Sequence, residues 1–147
     1  MLDVMTDHDL VDAIDRIVLA GIALTARALT ETSGPDLTFP QWRVIVVLGE
    51  SEEGATVSEV AGRIGVTLPA TSRQLHRMER RGLVEIAPDE RDRRAARARL
   101  TASGAHIREL ILVYRRERIR QTISDAGTTR ADVAKLERIA DALNKFV

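Results

Sequence analysis

Residues Thr56–Leu100 read TVSEVAGRIGVTLPATSRQLHRMERRGLVEIAPDERDRRAARARL. Val57, Val60, Ala61 and Ile64 recur at helical spacing, and Thr56-Val-Ser-Glu59 has the form of a capping box, so a short helix is expected over Thr56–Ile64. Gly65-Val66 makes a turn. A second helix then runs from Thr67, as its cap, to Arg81; proline sits in the first turn, where its missing N–H costs nothing, and Gly82 stops the helix. Two helices joined by a tight glycine-containing turn form a helix-turn-helix. Beyond Gly82 the period changes to two. Leu83, Val84 and Ile86 start one strand, and Ala96, Ala98 and Leu100 alternate with Arg97 and Arg99 in the other. The hairpin Leu83–Leu100 thus has a small apolar inner face and an arginine outer face, and it makes the unit winged.

At about 100° per residue the second helix sorts into two sides. Thr71, Leu75 and Met78 form a stripe that can bury, while Pro69, Arg73, His76, Arg77 and Arg80 lie opposite. A solvated charged face has the same pattern. The hairpin tip, Pro88-Asp-Glu-Arg-Asp-Arg-Arg94, places a second cluster of arginines beside the first, which turns the reading toward DNA.

Working toward the N-terminus, Thr38-Phe-Pro-Gln41 repeats the capping-box form and opens a helix that buries Trp42, Ile45, Val46 and Leu48 and ends near Gly49. Ser51–Gly54 reads as a loop. From Asp7 to Thr32, Leu10, Ile14, Ile17, Gly21, Leu24 and Ala28 recur at steps of four and three, widened by Val11, Val18 and Ile22, up to a break at Ser33-Gly-Pro-Asp36. Toward the C-terminus, Thr101–Gly104 begins a long helix carrying Ile107, Leu110, Ile111, Tyr114, Ile119 and Ile123 to a break at Asp125-Ala-Gly127. A last helix from Thr129 lines up Val133, Leu136, Ile139, Ala140, Leu143 and Phe146. The first and last helices carry more apolar surface than a small winged module can cover. They are therefore expected in a homodimer interface, the alternative being a monomeric helical bundle. The fold expected is mainly α with a small β-hairpin wing: a single domain over 1–147, with a winged helix-turn-helix at 38–100 and dimerisation helices at 7–32 and 101–147.

The formal net charge is zero, which argues at first against nucleic acid, but the distribution reverses that. Residues 67–99 hold nine arginines against five acids, and residues 1–40 hold seven acids against two arginines. Local charge sets phosphate attraction. With 3% aromatic residues, base-stacking single-strand or RNA-binding sheets are not expected. The absence of cysteine excludes disulfides, thiolate metal sites and cysteine redox sensing. Asp3, Asp7, Asp9 and Asp12 stand where a signal peptide needs basic residues, and the uncharged run Ile17–Ala26 is too short to span a bilayer, so a cytoplasmic protein with no membrane contact is expected. No glycine-rich phosphate loop or cysteine nucleophile is present, and Asp89, Glu90 and Asp92 are interleaved with arginines; neither an enzyme nor a bound cofactor is expected.

Over nearly its full length the chain resembles the MarR family of bacterial transcriptional regulators. The resemblance rests on Leu37–Val44 (LTFPQWRV), Val57–Ala61 (VSEVA), Thr71–Val84 (TSRQLHRMERRGLV), and Asp89–Arg94 (DERDRR) leading into Leu100–Gly104 (LTASG). It implies a homodimer that binds a palindromic operator in double-stranded DNA, usually as a repressor, with the second helix in the major groove and a wing arginine in the minor groove. It also implies a small anionic or aromatic inducer bound between the DNA-binding and dimer regions. Peroxide-sensing members use a cysteine, absent here; metal-sensing members use histidine and acid clusters, and the histidines here are His8, His76 and His106. The competing functional reading is a winged helix used for protein–protein interaction without DNA.

The expected DNA contacts are Thr67, Pro69, Ala70, Ser72, Arg73, His76 and Arg77 on the helix, and Arg91, Asp92, Arg93 and Arg94 on the wing. An arginine can bridge guanine O6 and N7, and Ser72 and Thr67 can donate to phosphate. Pro69 and Ala70 serve helix initiation or touch a thymine methyl. In the wing, Asp92 beside Arg94 can aim that guanidinium into a narrow minor groove, with Arg91 and Arg93 on phosphate or in solvent. Trp42 reads as core rather than ligand platform. Arg43, Tyr114 and His106 are open between an inter-domain pocket and plain packing or surface. The Asp7-His-Asp9 and Asp12 cluster reads as a solvated helix start rather than a cation site.

Overall fold

Threonine marks where helices begin. In a computed structural model, which describes residues 7–32, 36–124 and 126–145, the elements run α1 Asp7–Thr32, α2 Phe39–Leu48, β1 Ala55–Thr56, α3 Val57–Ile64, α4 Leu68–Arg80, β2 Val84–Pro88, β3 Ala96–Leu100, α5 Ala102–Ile123 and α6 Arg130–Asn144. Both expected capping boxes form: Thr38 with Gln41, and Thr56 with Glu59. Thr101 caps α5 by accepting from the Gly104 N–H at 3.1 Å, and Thr129 with Asp132 makes a third box. The hydrogen bonds from Thr56 and Thr129 hold the Glu59 and Asp132 carboxyls below their usual range. Thr67 is different. It stands at the start of α4, but its side chain makes no capping bond, against expectation.

Gly65 lies between α3 and α4 at φ +64°, in the left-handed region that admits glycine readily, and its N–H closes α3. This turn sets α4 across α3, the helix-turn-helix geometry. The hairpin pairs Val84 with Leu100, Ile86 with Ala98 and Pro88 with Ala96. A third strand, β1, too short to be legible as a strand, pairs Ala55 with Ala98 and Thr56 with Arg97, giving the antiparallel order β1-β3-β2.

The core lies inside the winged unit. Ile45, Leu48, Val60, Leu75, Met78, Leu83, Val84 and Ala98 are buried there, and Ile107 and Ile111 of α5 close one side. Helix α2 is buried on nearly every side: Val44 and Val47 join Trp42, Ile45 and Leu48, while Val46, expected in the core, is only half-buried. Its C-terminal carbonyl end carries no basic residue of its own, and the Arg108 side chain of α5 lies against Gly49 there.

The end helices are less covered. Helix α1 packs along α5 through Ala28 and Leu29, and the Tyr114 hydroxyl donates to Glu31 at 2.8 Å. Leu10, Val11, Ile17, Val18, Leu19 and Ile22 of α1 remain exposed, as do Leu136 and Leu143 of α6, a helix with no buried residue. No helix among the described residues is long and apolar enough to cross a membrane. The expected breaks at Ser33–Pro35 and Asp125, and the position of Phe146, lie outside the described residues.

Candidate nucleic-acid interface

Helix α4 presents the face its periodicity requires. Thr71, Leu75 and Met78 are fully buried, and Pro69, Arg73, His76, Arg77 and Arg80 are exposed. Thr67 is exposed with its hydroxyl uncommitted to a cap; Ala70 and Ser72 are half-buried at the edge of the face. His76 Nδ1 lies 3.3 Å from Glu79 Oε2, and the other Glu79 oxygen accepts from the Ile86 N–H at 3.0 Å, tying the end of α4 to β2. Arg81 turns away. It donates to Gln41 Oε1 and to the Asp36 carbonyl, both at 3.0 Å, and so holds α4 to the start of α2.

The wing differs from expectation at its base. Arg97 does not face solvent with the other wing arginines; its side chain is only 15% exposed, because β1 pairs along that part of β3. Its Nε donates to Asp89 Oδ2 at 2.5 Å and its Nη1 to the Gly54 carbonyl at 3.1 Å, with Glu59 at 4.0 Å from Nη2. Asp89 is buried, and Asp89 Oδ1 also accepts the backbone N–H of Arg91 at 2.8 Å and of Asp92 at 2.9 Å. The Arg97 hydrogen bond, then these two N–H groups, pull the Asp89 carboxyl down to about 2. Asp89 raises the Arg97 guanidinium in turn. Asp89 therefore ties the tip of the hairpin to its stem and, through Arg97, to the loop before β1.

The pairing of Asp92 with the Arg94 guanidinium is not what forms. Asp92 Oδ1 accepts the Arg94 backbone N–H at 2.9 Å, a local turn that shapes the chain and leaves the guanidinium unaimed. Arg91 is held by Glu53 at 3.3 Å, and the Arg99 Nε donates to the Glu53 carbonyl at 3.0 Å. Among the described residues, the guanidinium groups of Arg73, Arg77, Arg80, Arg93 and Arg94 have no acid or carbonyl partner.

The start of α4 and the wing meet across a cleft of about 360 Å³, walled by Leu68, Pro69 and Ser72 of α4, by Thr56, Val57 and Ser58 at the start of α3, and by Arg94, Ala95 and Ala96 of the wing. The geometry suits a polyanion whose grooves are met by helix and hairpin, with a sugar-phosphate strand between.

A second cleft, of about 580 Å³, lies behind α2. Phe39, Trp42, Val46, Val47 and Ile64 make its apolar lining, and Arg43, Glu50, Arg63, Arg115 and Asn144 its polar rim. Trp42, 4% exposed, is thus both core and cleft wall. Arg63 donates to Glu50 at 2.8 Å. Arg115 is desolvated, which lowers its guanidinium basicity, and its Nε is buried without a hydrogen bond among the described residues. Arg43 lines this cleft; Tyr114 and His106 do not. Arg63 and Arg115 were not legible as cleft residues, since no spacing in the sequence brings α3 and α5 together. At the N-terminus His8 stands 3.6 Å from Asp12 in an exposed i, i+4 pair, and no group of three metal-ligating side chains is found among the described residues.

The model of the MarR family matches residues 36–95. The chain is 31% identical over 108 residues to the HTH-type transcriptional repressor IacR of Pseudomonas putida, covering 74% of this chain and 63% of that protein, so it spans less than two thirds of this relative. Its fold is similar to that of RV1404 from Mycobacterium tuberculosis, with TM-score 0.76 at 23% identity over 95% of this chain and 93% of the other. It is similar also to Streptococcus pneumoniae FabT, solved in complex with DNA, with TM-score 0.71 at 21% identity over 95% and 96%. By its winged helix, residues 36–95, the chain is similar to the MarR family.

Proposed function

We propose that this protein is a cytoplasmic transcriptional regulator that binds duplex DNA as a homodimer and represses where its operator overlaps a promoter. The observation that carries the reading is the surface of α4 and wing, on which Arg73, Arg77, Arg80, Arg93 and Arg94 stand exposed while Arg63, Arg81, Arg91, Arg97 and Arg99 are bound to acids or carbonyls. An internally compensated arginine adds little field; an uncompensated row attracts phosphate. FabT, similar in fold, has been solved with DNA, and IacR is named a transcriptional repressor. In this reading Arg73 and Arg77 meet the major groove, Thr67 and Ser72 donate to phosphate, and Arg93 and Arg94 reach the flanking minor groove. His76 contributes less, being drawn toward Glu79. Arg91 and Asp92 shape and steady the wing.

Dimerisation accounts for the exposed apolar rows of α1 and α6, and it places two winged units on a two-fold-symmetric site. A small anionic inducer fits the cleft behind α2, whose aromatic wall and desolvated Arg115 favour a flat anion. CouR from Rhodococcus jostii, similar in fold, was solved with p-coumaroyl-CoA. Selection from random duplex DNA tests the main proposal. Recovery of paired inverted half-sites about one helical turn apart is expected; recovery of no enriched sequence, or of single half-sites, counts against it.

A further inference from the structure

We propose that Leu68 reads thymine in the DNA site by packing on its 5-methyl group, an inference that rests on the DNA-binding function proposed above. Leu68 opens α4 with half of its surface exposed, and it belongs neither to the hydrophobic core nor to the side chains packed against that core. Its first-turn neighbours Pro69 and Ala70 are also uncharged, whereas Arg73, His76, Arg77 and Arg80 follow on later turns. The leading end of the helix is therefore apolar and its flank is cationic. Leu68 also walls the cleft that joins α4 to the wing, with Arg94 across from it, so DNA held by both sets of arginines comes up against this side chain.

Base chemistry then selects the partner. In the major groove thymine alone offers a methyl group, while the other base edges present donors and acceptors that a leucine would leave unpaired. Leu68 is thus attractive toward thymine and costly against the alternatives, whereas the arginines around it hold phosphate or guanine.

The test uses the full chain and a duplex selected by it from random DNA. Each thymine is replaced in turn by deoxyuridine, which lacks only the methyl, and binding is compared for the parent, Leu68→Ala and Leu68→Met. At one thymine of each half-site the parent should lose about fourfold in affinity per half-site, the worth of one buried methyl. Leu68→Ala should bind thymine and uracil alike there, and Leu68→Met should keep part of the discrimination. A parent indifferent to uracil at every thymine, or a Leu68→Ala variant as sensitive as the parent, overturns the assignment and leaves DNA binding standing. Loss of folding in both variants also overturns it, since an exposed reader cannot be a structural residue. If the parent enriches and binds no duplex at all, the DNA-binding proposal itself has failed.

Discussion

The winged unit and the end helices both carry many apolar residues, but these are satisfied differently. In the winged unit Ile45, Leu75 and Met78 are fully buried and the polar side chains close on one another: Asp89 on Arg97, Glu50 on Arg63, Arg81 on Gln41. In α1 and α6, Ile17, Ile22, Leu136 and Leu143 are each about half exposed. Isolated exposed apolar residues need no explanation, but aligned rows on the first and last helices do. The contrast teaches that one part of the chain closes over its own apolar residues and the other leaves them exposed.

The largest expected effect separates the two halves. Leu75→Ala removes a side chain from the closed core and should cost about 2–5 kcal/mol, read from a urea melt. Leu136→Ala should change that figure little when measured at high dilution. If the two substitutions cost the same at every concentration, the comparison fails. Next in size is assembly. Paired Ile17→Asp and Leu136→Asp substitutions should convert a dimer at micromolar concentration to a monomer by light scattering, and should remove the concentration dependence of the parent's Tm. A parent that is already monomeric contradicts the reading of the end helices.

Within the winged unit the contrast lies between the base of the wing and its tip. Asp89→Asn should lower Tm by several degrees and weaken DNA binding, because it frees the tip from its stem, whereas Asp92→Asn should do much less of either. The Asp89 carboxyl is drawn from 3.8 down to about 2 in the folded chain, so its contribution to stability is present above about pH 4 and is lost as pH falls through about 2. The Tm difference between parent and Asp89→Asn should close across that window and stay flat from pH 5 to 8. The smallest effect belongs to Gly49→Ala, whose added methyl meets only the flexible Arg108 side chain; a loss of under about 1 kcal/mol is expected by thermal melt.

Much of this was legible in the sequence because it is local. Capping boxes need residues three apart, and the turn at Gly65 and the stripe of Thr71, Leu75 and Met78 follow from helical spacing alone. The errors came where contacts are distant or where a rule admits two outcomes. Period two put Arg97 on the outer face of the wing, yet β1 and Gly54 just before it, more than 40 residues earlier in the chain, pair there and enclose it. Asp92 next to an arginine suggested an ion pair, but its carboxylate is satisfied nearer by, at a backbone N–H. Thr67 has the sequence of a cap and not the bond. The cleft behind α2 joins residues from α2, α3, α5 and α6, which no periodicity could bring together.

Salt-dependent binding of a selected duplex by the parent, Arg73→Ala and Arg94→Ala tests the central claim most directly. The logarithm of the parent's binding constant should fall linearly with the logarithm of salt concentration, with a slope of about 0.9 per phosphate contact. Arg94→Ala should weaken binding by roughly tenfold or more while melting like the parent. Arg73→Ala should either change sequence preference, as a base reader, or reduce the slope by about one per half-site, as a phosphate contact. Two folded variants that bind with the parent's affinity, preference and salt slope would show that α4 and the wing are not the DNA-binding surface.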